Sequence, residues 1–456
     1  MADSTSLSAL KTDNFVQTFA GHPPTGTFVK NMLPEDQEIP HLFRPLALRT
    51  KKDGNRSALV LKGRGLVSPM CMYSSLEGIP NPWTLAHLGS FAIHGASSIM
   101  VEASGVTPEG RITPQCLGIW NDEQAHAHAN VVASLKRISD KLTVGLQIAH
   151  AGRKASTWSP YHRGERKHKE WVTKEEGGFP DDVVAPSAVP YKSDWLTPRE
   201  LTKDEIKNLQ QAFVDAAQRA YEVAGYDYVE IHSAHGYLSH NFLSPISNKR
   251  TDEYGGSFEN RTRFLLETVR AIKKRWPNRS LWVRISATDF AEHLEPEQET
   301  WNLQSSIKLA QLLEKEDVDF LDVSAGGLTP EQRIQPGPGY QLGFASEIRK
   351  ALPISQTNTP SSAARTSSAD GVTPEQAEHM VIGAVGLMDG GAFPGELAEK
   401  SIKNGQTDAI LIARGFLSNP KWVIEASQNL TNGIKSAGSP QYHRAHEFKP
   451  KPQNNN

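Results

Sequence analysis

The segment His232-Ser233-Ala234-His235-Gly236-Tyr237 gathers two imidazoles and a phenol within six residues. Three chemistries fit it. His232 and His235 can ligate a metal, but that needs a third ligand in fixed geometry, and no carboxylate or cysteine is obviously placed beside them. They can equally be two satisfied histidines flanking a turn. Or both can donate to one carbonyl or nitro oxygen, with Tyr237 as a proton donor to a carbanion-like centre rather than an ordinary aromatic wall. The spacing alone leaves all three open.

Other residues join them only if the chain brings strand ends together. Arg414 closes the apolar run Asp408–Arg414 and follows a run ending in Gly383 and Gly386. Glycine backbone lets N–H groups approach an anion, and a guanidinium adds a forked donor. A rim salt bridge is the plainer use of Arg414. Arg284 interrupts Leu-Trp-Val-Arg-Ile-Ser with no carboxylate nearby in sequence; a buried, unpaired arginine is costly. Cys71 is by type a small buried hydrophobe before it is a reactive thiol.

The elements that would position these groups alternate regularly. Apolar β-rich runs at Leu66–Cys71, Ser98–Ser104, Thr143–Ala149, Tyr226–His232, Leu281–Ala287, Val318–Ser324, His379–Val385 and Asp408–Arg414 are each followed by a helical pattern. Thr202 and Glu205 form a capping box, with Leu201 and Ile206 placed as a hydrophobic staple. Another helix starts near Ser257. Eight such alternations predict an α/β fold, a single (β/α)₈ TIM barrel, whose strand C-termini share one pocket. A doubly wound sheet would also alternate, but no Gly-x-Gly-x-x-Gly follows the first strand. Residues 1–40 read as a flexible arm, 41–430 as the barrel and 431–456 as a tail. The polar, aromatic stretch 153–198 follows strand three and reads as an active-face insertion with the character of a lid. The low-complexity stretch 354–372 falls on the opposite face and is expected to be mobile.

Composition narrows the classes. The 456 residues are 38% hydrophobic and carry a net charge of -2, which supports a large core and gives no electrostatic footprint for nucleic acid or anionic membrane. Two cysteines, Cys71 and Cys116, cannot build a disulfide framework or a cysteine-ligated cluster. Sequons at Asn55, Asn260, Asn278 and Asn429 come with no signal peptide, and no apolar run is long enough to span a bilayer. The expected location is cytoplasmic.

Further segments carry a resemblance. They are Ser-Pro-Met-Cys-Met-Tyr-Ser at 68–74, Val-Glu-Ala-Ser at 101–104, Gly-Arg-Ile-Thr at 110–113 and Gln-Ile-Ala-His-Ala-Gly-Arg-Lys-Ala at 147–155. Ile-His-Ser-Ala-His-Gly-Tyr-Leu at 231–238 and Phe-Leu-Ser-Pro-Ile-Ser-Asn-Lys-Arg-Thr-Asp-Glu-Tyr-Gly-Gly-Ser at 242–257 complete the set. In register over about residues 42–445, the chain resembles the old yellow enzyme family, and within it the xenobiotic-reductase-like subclass with fungal-type insertions.

The resemblance implies an NAD(P)H-dependent FMN oxidoreductase, an ene-reductase acting on α,β-unsaturated carbonyl or nitro compounds. It implies tightly bound, non-covalent FMN, with NADPH or NADH as hydride donor. Ser68, Pro69, Met70, Cys71, Ala103, Gln147 and Arg284 would contact the isoalloxazine, and Gly386, Ala413 and Arg414 the phosphate. The flavin pyrimidine edge, which gains negative charge on reduction, would then be the counter-charge for Arg284. His232 and His235 would bind the substrate oxygen, Tyr73 would line the pocket and Tyr237 would give the proton. Arg444 would reach a neighbouring subunit's site in a homodimer or homotetramer. No metal, nucleic acid or membrane partner is implied. Two departures stand out: Ala413 where the family usually has glycine, acceptable only at negative φ, and the long stretch before strand seven. The competing readings are a phosphate-handling lyase or isomerase, a metal-dependent hydrolase using His232 and His235, and a non-catalytic flavin-binding barrel.

Overall fold

Eight parallel strands close on themselves: β1 (Gly65–Val67), β2 (Ser98–Gly105), β3 (Thr143–Ala149), β4 (Tyr228–Ser233), β5 (Ser280–Ser286), β6 (Phe320–Ser324), β7 (Val381–Ala384) and β8 (Ala409–Ile412). Each is followed by one long helix: α1 (Pro82–Ile93), α2 (Asp122–Ile138), α3 (Lys203–Gln218), α4 (Phe258–Arg275), α5 (Leu303–Lys315), α6 (Leu342–Ala351), α7 (Glu396–Lys403) and α8 (Trp422–Leu430). This is the (β/α)₈ barrel. The computed structural model describes residues 23–28, 32–49, 59–139, 141–162, 170–352, 367–368, 371–372, 374–377 and 379–442.

Local signals set the boundaries. Thr202 caps α3 through the capping box read from sequence: its hydroxyl accepts from the Glu205 N–H at 3.2 Å, and the Glu205 carboxylate accepts from the Thr202 N–H at 2.8 Å. Ser257 caps α4 with a single bond, its hydroxyl accepting from the Asn260 N–H at 3.3 Å. Strands one, seven and eight are shorter than their apolar runs. Ser68-Pro69-Met70-Cys71 is loop, because proline withholds a ladder donor.

The barrel interior is built in layers, because inward residues recur every second position and the tilted strands of a closed barrel bring them to matching heights. At the floor Tyr228 stacks on Trp282 at 3.9 Å and Trp282 on Phe320 at 4.0 Å. Gly145 and Gly383 make room for these rings: a Cβ at Gly145 would lie 2.0 Å from the Tyr228 ring, and one at Gly383 2.4 Å from Phe320. Gly383 is therefore a packing glycine and not part of an anion cradle. A small sheet of Leu46–Ala47, Val60–Leu61 and Glu375–Gln376 joins this floor cluster from the N-terminal side.

The terminal segments are not all arm and tail. Within 1–40, Phe28 and Leu33 are buried, and the Thr25 carbonyl accepts from Lys62 Nζ at 2.8 Å. Gly26 and Thr27 exchange backbone bonds with Ala437. The described residues of the 153–198 insertion form short 3₁₀ turns, tied back where Val184–Ala185 pairs with Arg199–Glu200. Most of 354–372 lies outside the described residues, as does Arg444; Ser367–Ser368 pairs with Gly371–Val372.

Candidate active site

Above the aromatic floor comes a charged layer, then a layer of donors. On β4, β5 and β6 the inward positions run Tyr228, Glu230, His232; Trp282, Arg284, Ser286; and Phe320, Asp322, Ser324. Register pairs His232 with Arg284 and Arg284 with Asp322. Arg284 Nε lies 2.6 Å from Asp322 Oδ2, and its Nη2 donates to Ser68 Oγ at 2.8 Å. The arginine thus has its carboxylate after all, 38 positions along the chain and one strand away. Local sequence could not show this, although the inward parity of Asp322 in Phe-Leu-Asp-Val-Ser contained the signal.

The top layer presents the histidines and the tyrosine together. The His232 ring lies 5.1 Å from that of His235 and 4.9 Å from that of Tyr237, at 85° and 87°. His235 occupies left-handed backbone, φ 58°, rare for a residue with a side chain. Three contacts hold it there. Its N–H donates to Ser286 Oγ at 2.9 Å, its carbonyl accepts from Lys154 Nζ at 2.8 Å, and its Nε2 meets Ser324 Oγ at 2.7 Å. Glycine at 236 and 327 is needed for the turn, since a Cβ at either would strike the facing backbone within 3 Å.

Electrostatics keep this trio neutral. Burial, then the neighbouring His235 and Arg284, push the His232 imidazolium well below its usual range; burial and Arg284 do the same to His235. Burial pushes the Tyr237 phenol well above its usual range, with Cys71 adding to it. Lys154, 5.2 Å over the Tyr237 ring, is lowered to about 7 by burial and by Arg153. The Ala234 N–H donates to His232 Nδ1 at 3.3 Å, so the proton of this neutral ring is on Nε2. Among the described residues no group of three His, Cys, Asp or Glu is arranged to hold a metal ion.

The remaining predicted residues fall around the same mouth. Ser68 leads from β1 into the loop of Pro69, Met70, Cys71 and Tyr73. The Glu102 carboxylate accepts from the Met72 N–H at 2.8 Å and so ties this loop to β2; burial raises Glu102 to about 7. Tyr73, at φ 49°, packs edge-on against Tyr161 of the insertion at 5.9 Å. Burial raises the Cys71 thiol well above its usual range, so Cys71 is a thiol and not a thiolate here. Ala103 sits in a β-bulge where the β2–β3 register shifts between Val101 and Ser104, and its backbone meets the Cys71 thiol. Gln147 on β3 donates to Glu230 on β4 at 2.7 Å. Lys154, Glu102, Glu230 and Asp322 carry site contacts that motif reading had not assigned.

The residues expected to hold an anion lie after β7 and β8. Gly386 has φ 105°, and a Cβ there would press on the Gln341 side chain at 3.0 Å. Ala413 has φ -104°, so replacing the usual glycine introduces no strain. Arg414 is exposed and makes no ion pair among the described residues, unlike a rim salt bridge.

These features fit a flavin mononucleotide. A guanidinium and a carboxamide stand at the barrel centre, a bulged strand end and an open loop face the same mouth, and a glycine turn with an uncommitted arginine flanks it. The comparisons agree. Residues 41–341 match the NADH:flavin oxidoreductase / NADH oxidase family, and the chain belongs to that family, the old yellow enzymes. An NADH:flavin oxidoreductase from Gibberella zeae is 36% identical over 92% of this chain and 91% of its own length. NADPH dehydrogenase from Bacillus velezensis is 39% identical over 85% of this chain and 96% of its own length. Morphinone reductase shares the fold, with TM-score 0.60 and 23% identity over 89% of this chain and 93% of that one. The protein is an NAD(P)H-dependent FMN oxidoreductase. No helix among the described residues is long and apolar enough to cross a membrane.

Proposed function

We propose that the protein reduces activated C=C bonds of α,β-unsaturated carbonyl or nitro compounds. The observation that carries this is the neutral His232–His235–Tyr237 cluster on rigid strand ends. When bound, FMN supplies hydride transfer, from NADPH or NADH and then to the β-carbon of the acceptor. Ser68, Pro69, Met70, Cys71, Ala103, Gln147 and Arg284 would hold its ring, and Gly386, Ala413 and Arg414 its phosphate. His232 Nε2–H and His235 donate to the substrate oxygen, where negative charge develops as the hydride arrives. Neutral donors suit this, because they bind the oxygen without a competing charge in the ground state; each is worth about 2.7–4 kcal/mol at such a position. Tyr237 Oη gives its proton to the α-carbon, and hydride plus proton leave the C=C bond saturated. Tyr73 lines the pocket, with Tyr161 of the insertion against it.

Arg444 fits the same reading as a residue given to another subunit of a homo-oligomer. The turn just before it, Pro440–Tyr442, packs on His94 at the C-terminal end of α1, the face opposite this chain's own pocket.

An anaerobic absorbance titration tests the reading. Flavin bands should bleach with NADPH and return with cyclohexenone. In Tyr237→Phe, return by the enone should slow while bleaching by NADPH stays nearly intact. Equal slowing of both half-reactions would remove Tyr237 as the proton donor.

A further inference from the structure

The charged layer beneath the donors contains one more acid than it has bases. Glu230 and Asp322 share it with a single guanidinium. Arg284 is committed to Asp322 at 2.6 Å and to Ser68 at 2.8 Å. Glu230 is fully buried, its Oε1 accepts from Gln147 Nε2 at 2.7 Å, and its Oε2 has no partner. A bare anionic oxygen inside a barrel is costly, and a proton on it removes most of that cost. The carboxamide of Gln147 is also committed. Its nitrogen is turned down to Glu230, so its oxygen is the end left for the mouth; among the described residues no hydrogen bond reaches that oxygen.

We propose that Glu230 is a positioning residue, held as the neutral acid, that fixes the Gln147 carboxamide with its oxygen toward the cofactor. The identity of the group met by that oxygen rests on the FMN reading, where a ring N–H is the partner an amide oxygen can take. The proton on Glu230 rests on the protein alone.

The surroundings of Glu230 are consistent from every side. β5 contributes Arg284 and β6 contributes Asp322. Its own strand places Tyr228 below and His232 above, and β3 contributes neutral Gln147. β2 contributes Glu102, whose carboxylate is turned to the Met72 N–H. The loop after β1 contributes Ser68, and β7 and β8 contribute Gly383 and Leu411. Burial first, then Asp322, push Glu230 up to about 8 against the pull of Arg284.

Infrared difference spectra of the FMN-free protein test the proton. Wild type at pH 6 minus wild type at pH 10 should show a protonated-carboxyl C=O band that Glu230→Gln lacks. Absence of a Glu230-dependent band would overturn the neutral acid, whether or not FMN binds. FMN-loaded protein tests the positioning. The FMN midpoint potential of Glu230→Gln should equal that of wild type at pH 6, and wild type should fall below it above about pH 8, as Glu230 ionises. A variant potential higher by the same amount at pH 6 and pH 9 would mean an ionised carboxylate throughout and would overturn the proposal. Glu230→Leu, which frees the amide, should weaken FMN binding about five- to tenfold, the loss of one buried hydrogen bond. Unchanged FMN affinity and potential in that variant would overturn the positioning role. A protein that takes up no FMN at all would fail the cofactor reading, and the infrared band would still decide the proton.

Discussion

Ser324→Ala is a sharp probe of how His235 works. Among the described residues Ser324 Oγ hydrogen-bonds only with the distal nitrogen of His235, at 2.7 Å, from β6, and it lies one inward step above Asp322. With its hydroxyl donating to Nε2, the neutral ring carries its proton on Nδ1, and that N–H is the donor left for a substrate oxygen. Alanine removes the hydroxyl and little volume. The ring keeps its backbone restraints, the Ser286 and Lys154 contacts at 2.9 and 2.8 Å, but its tautomer is no longer fixed. One buried hydrogen bond is worth about 0.5–1.5 kcal/mol. Some 1.36 kcal/mol is tenfold in rate. The expected result is therefore about a tenfold slower re-oxidation of reduced flavin by cyclohexenone, with phenol binding to the oxidised protein weakened by a similar factor. Reduction by NADPH should be nearly unchanged, and thermal stability should drop by about 1 kcal/mol. Stopped-flow absorbance separates the half-reactions, and the charge-transfer band formed with phenol reports the ligand. Slowing of both half-reactions alike, or full phenol affinity, would refute the tautomer argument. His235→Ala, by contrast, should cost about 10²–10³ in the oxidative half-reaction, as removal of a whole donor does.

Arg284→Met leaves Asp322 buried and unpaired and should cost about 3–5 kcal/mol of stability by denaturant titration. Arg284→Met with Asp322→Leu should recover most of it without restoring FMN binding; recovery of both would show that the arginine serves the fold alone. Acid should destabilise the protein through its buried neutral histidines: burial holds His128 and His150 at about 4, against 6.5 unfolded. The unfolded chain therefore binds more protons between those values, and stability falls as pH drops through that window, by at most about 1.4 kcal/mol per unit for each such group. His128→Asn should flatten the measured slope between pH 6.5 and 4. Gly145→Ala should cost about 1–3 kcal/mol by overpacking the Tyr228 ring, and an unshifted melting temperature would contradict the layered floor.

Sequence made the barrel legible because alternating strand and helix patterns are local. It made the mouth legible because His232, His235 and Tyr237 lie within six residues. The interior was harder, because its logic runs across strands. Glu230, Arg284 and Asp322 are far apart in the chain; register pairs Arg284 with Asp322 and sets Glu230 opposite Trp282, one inward step from Arg284. The unpaired look of Arg284 was an artefact of reading along the sequence. Gly383 is similar: an anion-cradle glycine and a glycine making room for Phe320 read alike until the facing ring is known. Strand one was read too long because Ser68–Cys71 continues the apolar pattern after Pro69 has ended the ladder.

One alternation rule accounts for floor, charge and donors together. Along β4 the inward side chains change from an aromatic ring to an acid to an imidazole in steps of two residues, and β5 and β6 step likewise from a ring to a charged group to a serine hydroxyl. The stacked rings of Tyr228, Trp282 and Phe320 fix the height and rotation of the strands. The Arg284–Asp322 pair sits in that dry interior, where a guanidinium keeps its field unscreened. The imidazoles of His232 and His235 then stand one step higher, neutral because they are buried and the positive charge of Arg284 is close. A shift of one residue in any of these strands would turn ring, charge and donor outward at once. The register that closes the barrel is therefore also what places the chemistry.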